Sequence, residues 1–256
     1  MNLSLVNVNG DTIDLDWHYK YQISSWAPRA KAMDRFGKNG GFVMGDGKSG
    51  ARKITLKYDD AFENVQEFRD WANNFIRFFL KENEPFHLVD TDGAGRRTKV
   101  ALEELPPEWD QGVEEKIITS PIKLIMEDAC WEDLTATPVT WNAVSNGDTN
   151  SIVVNGSYSE CDPIITVTAL DNLPEFSILN NTLGAGIKVA HPGFIAGKTM
   201  IIDCEEGTIS VDGIYIPGSI TEGGFIFLLP QTNVLEYESA YGQANILIEY
   251  RKVYGY

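Results

Sequence analysis

Apolar and polar positions change rhythm near the middle of the chain, at residues 117–134, IITSPIKLIMEDACWEDL. The first part of this stretch alternates and carries β-branched side chains, as a half-buried strand does. Its second part, Glu127-Asp128-Ala129-Cys130-Trp131-Glu132-Asp133, is acidic and contains an aromatic. Before it lies one strong helical period; after it come short strands and Gly, Asn and Asp turns. The pattern predicts a mainly β protein of two domains, an α+β first domain over 1–130 and an all-β second domain over 131–256. A chain of 256 residues is long enough for two such cores.

In the first half, Leu3, Leu5 and Val8 lead into Asn9-Gly10, and Ile13, Leu15 and Trp17 alternate with Asp14 and Asp16. That is an opening hairpin with a turn suited to Asn-Gly. Over residues 26–50 the pattern is lost among basic residues and glycines, which predicts a long loop, ordered by a partner or mobile. Arg52-Lys53-Ile54-Thr55-Leu56 then reads as a strand. Asp60 and Glu63 make a capping box for a helix over about 61–80. Val65, Phe68, Trp71, Ala72, Phe75 and Phe79 follow its period, and burying the large ones is worth roughly 8–15 kcal/mol before entropy. Pro85 ends the element, and residues 86–90 and 96–102 read as paired strands.

In the second half, strands are expected at 152–154, 164–170, 176–179, 200–204, 209–211, 214–216, 225–229 and 244–254. Turn chemistry separates them, at Asn155-Gly156, Asn180-Asn181, Asp212-Gly213 and Pro230-Gln231-Thr232-Asn233. Strands at this spacing, with no helical segment, predict a β-sandwich.

Charge then narrows the function. The net charge of −16 argues against tight sequence-independent DNA binding, which depends on basic groups neutralising phosphates. From Leu134 onward thirteen acidic residues face only Lys188, Lys198, Arg251 and Lys252. No apolar run is long enough for a membrane span, and the N-terminus lacks a signal peptide's basic start and apolar core. Cys130, Cys161 and Cys204 are odd in number and far apart, so reduced thiols in a protein made in a cytoplasm are expected. The sequons at Asn2, Asn155 and Asn180 read as chance.

Several chemical motifs fail on inspection. Gly47-Lys48-Ser49 lacks the earlier glycine of a phosphate loop, where Phe42 stands, and a strand follows where a helix is required. Asp90-Thr91-Asp92-Gly93 lacks the remaining calcium ligands. Glu103, Glu104, Glu108 and Asp110 could do paired-carboxylate chemistry, but they flank Pro106-Pro107 in a polar loop. His18, His87 and His191 have no nucleophile context, and no ligand cluster has metal spacing. No enzyme, cofactor or metal is expected. Trp141, Tyr158, Tyr215, Tyr237 and Tyr241 could stack on sugars, which leaves a carbohydrate-binding module engaging a host cell-surface saccharide as the alternative function.

The order of these pieces resembles the distal tail proteins (Dit family) of long-tailed, non-contractile siphovirus phages. The motifs are the opening hairpin, the Gly-rich stretch into Arg52-Lys53-Ile54-Thr55-Leu56, the amphipathic helix, Leu88-Val89-Asp90 with Arg96-Arg97, and Glu127-Asp128-x-x-Trp131. In the second half they are Met200-Ile201-Ile202-Asp203, Val211-Asp212-Gly213, Phe227-Leu228-Leu229-Pro230-x-x-Asn233 and Ile248-Glu249-Tyr250-Arg251. Two positions depart from the family pattern. Gln231 replaces a glycine after the proline, and Asp128-Ala129 stands where Asp-Pro is usual.

The resemblance implies a split-barrel-like first domain with one helix and a galectin-like sandwich. It implies a structural protein of the virion tail tip and baseplate, made in the host bacterial cytoplasm. First domains would pair edge to edge into a homo-hexameric ring between the tail tube protein and a tail-associated hub protein. Receptor-binding or side-fibre proteins would join it, and DNA would pass through the lumen without specific binding. The ring and tube interface is expected at Phe42, Arg52, Ile54 and Leu56.

Overall fold

The computed structural model describes residues 3–15, 19–23, 28–34, 41–49, 52–58, 65–80, 84–90, 95–104, 122–126 and 130–255. The chain divides into two compact units, Met1–Leu134 with Gly255–Tyr256, and Thr135–Tyr254. The last part of the acidic stretch, Trp131–Asp133, falls in the first.

The first unit is built on an antiparallel sheet. Strands β1 (Leu3–Val6) and β2 (Thr12–Leu15) form the opening hairpin. Its connection is longer than a two-residue turn: Asn7 Oδ1 accepts from the amides of Asn9 and Asp11, at 3.0 and 2.9 Å. Gly10 takes the positive φ (82°) that this turn needs. The other strands are β3 (Tyr19–Ile23), β4 (Pro28–Asp34), β5 (Gly41–Ser49), β6 (Arg52–Tyr58), β7 (Phe86–Asp90), β8 (Arg96–Glu104), β9 (Ile122–Met126) and β10 (Trp131–Asp133). The main sheet runs β2-β1-β7-β8-β9-β6-β3. Leu5, Leu88, Ile54, Leu56, Leu124 and Met126 are fully buried along it.

The midchain stretch runs along one strand. β9 and then β10 both pair with β8, through Val100↔Met126 and Arg97↔Glu132. Arg97 Nε donates to Glu132 Oε1 at 2.7 Å, and Thr98 Oγ1 donates to the Cys130 carbonyl at 2.7 Å. Trp131, 1% exposed, is the buried anchor of this join.

The one helix among the described residues, α1 (Val65–Phe78), ends within two residues of its expected limit; the proposed cap at Asp60 and Glu63 lies outside the described residues. Phe75 and Phe78 are its buried anchors, and Trp71 and Phe79 are half-buried. Ring centroids of Trp71–Phe75 and Phe75–Phe79 lie 5.1 and 4.9 Å apart, and Phe78 and Phe79 reach Phe86 of β7 at 5.5 and 4.9 Å. This aromatic ladder holds the helix to the sheet. Phe78 was missed because it lies three residues beyond Phe75, on the flank of the stripe.

Within the expected loop over 26–50, the described residues Pro28–Asp34 and Gly41–Ser49 are instead antiparallel strands, β4 against β5. Its root continues the β3–β6 register: Ile23 pairs Ile54, and Pro28 pairs Ser49 at the same offset. One irregularity between Pro28 and Ala30 then shifts the pairing to Ala30↔Gly45. Long-range pairing sets these strands, and glycines at alternate positions conceal their period. Nine residues of β5 span roughly 30 Å.

The second unit packs two antiparallel sheets over one core. One contains β11 (Thr137–Val144), β21 (Ala244–Tyr250), β13 (Ile164–Ala169), β16 (Thr199–Asp203), β17 (Thr208–Val211) and β18 (Ile214–Tyr215), in that spatial order. The other contains β12 (Thr149–Val153), β20 (Thr232–Glu238), β14 (Glu175–Asn180), β15 (Ala185–Ala190) and β19 (Ile220–Gly223). Ile165, Val167, Ile178, Ile187, Met200, Ile202, Leu235 and Ile248 are fully buried between them.

Two expectations need correction here. Residues 225–229 are not a regular strand; Ile226 and Leu228 enter the core, and a single bridge joins Leu228 to Cys161. Conversely, the turn expected at 230–233 ends where β20 begins, at Thr232. Both follow from a buried amide pair. Asn180 and Asn233 are fully buried, and Asn180 Nδ2 donates to Asn233 Oδ1 at 3.1 Å and to the Phe227 carbonyl at 3.0 Å. Asn233 Oδ1 accepts from Leu229 N, and its Nδ2 donates to the carbonyls of Leu229 and Gln231. Side-chain amides thus satisfy backbone groups that a ladder would otherwise pair. Gln231 serves through its backbone, which also accepts from Val154 N at 3.0 Å, so the position tolerates a side chain.

Candidate functional sites

The four expected interface residues fall in two places. Phe42 lies on β5, opposite Met33, next to the Asp34↔Gly41 end of the arm. Ile54 and Leu56 are 0% exposed and Arg52 is 5% exposed. Strand β6 is hydrogen-bonded on both sides, to β3 and β9, so these three hold the root of the arm inside the first unit. On the opposite face, exposed Lys53 makes an ion pair with Glu103 of β8. The outer strands of the main sheet are β2 and β3, each with one partner among the described strands.

Charge singles out the arm. Residues 28–49 carry Arg29, Lys31, Arg35, Lys38 and Lys48 against Asp34 and Asp46, in a chain whose net charge is −16. Counting sequence charge by element, rather than by half of the chain, isolates this feature.

The carboxylate group does not assemble into a described site. Glu103 faces Lys53, while Glu108 and Asp110 lie outside the described residues. Of the calcium-like fragment, Asp90 is buried at the end of β7, and the three residues after it are outside the described set. His87 sits on β7 opposite Lys99, far in sequence from His191, and His18 is not described. Among the described residues no group of His, Cys, Asp and Glu is arranged to hold a metal ion.

The aromatics of the second unit separate clearly. Tyr158, Tyr215 and Tyr241 are exposed, Trp141 packs against the core, and Tyr237 is completely buried. Tyr237 is therefore excluded from a stacking surface; its hydroxyl donates to the Gly242 carbonyl at 3.2 Å. Burial pushes its pKa up to about 12. Cys204 is likewise pushed up to about 12 by burial, and Cys161 is buried beside Ser157 Oγ at 3.4 Å. Both are packing residues, and the Cys204 thiol has little thiolate character. Sequence periodicity left Tyr237 ambiguous because a buried asparagine, Asn233, takes the first inward position of its strand, β20.

Residues 155–254 match the family model of the siphovirus-type tail component, C-terminal domain. The crystal structure of SPP1 Dit (gp 19.1), described as a paradigm of the hub adsorption apparatus in phages infecting Gram-positive hosts, superposes with a TM-score of 0.63. The match covers 98% of this chain and 99% of that one at 12% identity, so it shows a shared fold from end to end. No curated protein sequence matches the chain. The mainly β fold and the resemblance to the Dit family, both read from sequence, agree with these findings.

Proposed function

With a siphovirus-type tail-component domain at residues 155–254 and a Dit-like fold along the chain, we propose that this protein is a structural distal tail protein of the virion. In this reading six first units close a ring between the tail tube and the tail-tip hub, and DNA passes through its lumen. The second units form the periphery, where receptor-binding or side-fibre proteins attach.

The observation that carries the ring is the long basic arm in an acidic chain. A heterologous interface joins two different patches on successive copies, and closure of the rotation makes a ring. The arm supplies one patch, and the acidic remainder of a neighbouring copy supplies a complementary one. Phe42 would be an apolar contact near its end, while Arg52, Ile54 and Leu56 fix the direction in which it leaves the sheet. The outer strands β2 and β3 provide unpaired backbone groups for edge pairing. An acidic lumen would repel DNA phosphates and let the molecule slide.

Class averages of the purified protein, alone at high concentration and with the tube protein, test the reading. Rings of about six subunits are expected in at least one condition. Monomers in both would refute the ring.

A further inference from the structure

The two outer faces of the sandwich differ in character. On the β12-β20-β14-β15-β19 sheet, Glu175, Lys188, Glu236 and Glu238 alternate with buried residues and make a charged face. On the β11-β21-β13-β16-β17-β18 sheet, register joins Leu247, Thr166, Ile201, Ser210 and Tyr215 into one row that crosses five strands. The residues flanking the first four in their strands belong to the core, so the row faces outward. Ile201 is 38% exposed and Tyr215 60% exposed. The adjacent row sets Ile164, 37% exposed, between Glu249 and Asp203. Among the described outward positions of this sheet's strands, those two carboxylates are the only charged groups. An apolar patch edged by charge is the mark of an interaction surface.

The arm has the converse character. Pairing of Met33 with Phe42 and of Lys31 with Met44 places three apolar residues and one cation on one of its faces. Arg29, Arg35, Lys38 and Lys48 add to its positive charge. A two-stranded ribbon is marginal by itself and gains stability by lying on an apolar surface. Dimensions agree as well. Six strands spaced about 4.8 Å apart make a face roughly 24–29 Å wide, against roughly 30 Å for β5. Sheets also pack with their strands nearly perpendicular, so the arm can run along the row.

We propose that the arm of one copy lies across this sheet face of a neighbouring copy. Met33, Phe42 and Met44 then meet the row of Leu247 and Ile201, and Lys31 meets Glu249 and Asp203. This rests on the ring reading and names the surface that receives the arm. A second copy of the same face would bring carboxylates toward carboxylates, whereas the arm neutralises them. The contact covers roughly 400–500 Å² on each side, less than the ~800 Å² of a free-standing complex. It therefore holds by repetition around a closed ring rather than as an isolated pair.

Sedimentation of the full chain over a concentration series, in the condition that gives rings, tests the contact. Glu249→Lys is the variant of choice, because Asp203 Oδ1 also accepts from the Glu206 amide at 2.9 Å. It should raise the concentration of half-assembly roughly tenfold, and Ile201→Asp should do the same. Adding Lys31→Glu to Glu249→Lys should restore assembly to within about threefold of the parent. Should Ile201→Asp lower the melting temperature, Tyr215→Ser at the sheet edge replaces it, with loss in the same direction. Rings in which Glu249→Lys and Ile201→Asp assemble like the parent would overturn the proposal and leave the ring standing, as would failure of Lys31→Glu to rescue. A parent that stays monomeric in every condition refutes the ring and this contact together.

Discussion

The first unit extends a basic arm from one main sheet, whereas the second stacks two sheets over a shared core. In the first, one helix is fastened by a ladder of aromatic rings, and the strand pairing runs on beyond the core into the arm. In the second, polar groups that enter the interior are matched within it, as with Asn180 and Asn233. The difference suits a division of labour. A sheet that runs on into an arm can be completed by another copy, while a sandwich that buries its apolar side chains between two sheets can present an outer face without altering its core.

If the units are stabilised separately, a charge placed under the helix should break one and spare the other. Phe75→Asp puts a carboxylate where Phe75 is 1% exposed between Trp71 and Phe79. The cost should exceed about 4 kcal/mol and unfold the first unit. Hydrogen exchange should show lost protection in β7 and β8 and retained protection in β13 and β21. Equal loss in both units would contradict the comparison.

A smaller effect is expected from opening the amide pair of the second unit. Asn180→Ala removes the side-chain donor to the Phe227 carbonyl and to Asn233 Oδ1, which keeps Leu229 N, and removes the acceptor of the Thr182 amide, while Leu183 N keeps the Asn180 backbone carbonyl. Destabilisation of about 2–4 kcal/mol follows, read as a shift of the denaturant midpoint of the second unit alone. A change below about 0.5 kcal/mol would show that water replaces the amide.

Alkali should act on the same unit more gently. Cys204 and Tyr237 have ordinary values of 9.0 and 10.0, and both are held up to about 12 in the folded unit. The folded state therefore keeps protons that the unfolded chain releases. The stability this provides is complete below pH 9.0 and declines as pH rises from there through about 12. Denaturation midpoints of the second unit at about pH 8 and about pH 11 should differ in that direction, and Cys204→Ala should reduce the difference. A midpoint that rises with pH would reverse the assignment.

Alternation made much of this architecture readable. Ile165, Val167, Met200, Ile202, Ile246 and Ile248 all occupy the core faces that period two assigns them. So did the helix, because Trp71 and Phe75 carry a period that no strand satisfies. Reading failed where residue type and environment disagree. Strand β20 has Asn233 as its second residue, a turn-forming type spent on buried hydrogen bonds. Strand β15 was overlooked because Ala185, Gly186 and Ala190 offer little hydrophobic signal, although Ile187 and Val189 are fully buried. Of the expected interface, Phe42 lies on the arm, and Ile54 and Leu56 are buried on the strand at its root.

The chain by itself determined the two-part division, the one helix, the acidic surface and the strand periodicity, because these depend on composition and on spacings of a few residues. Tertiary structure alone decided that Pro28–Asp34 and Gly41–Ser49 pair as an arm whose root keeps the β3–β6 register. It alone placed Ser177, Lys188 and Glu238 opposite one another on three neighbouring strands. Both depend on pairings between residues far apart in sequence, set by the cooperative register of whole sheets, which no local pattern encodes.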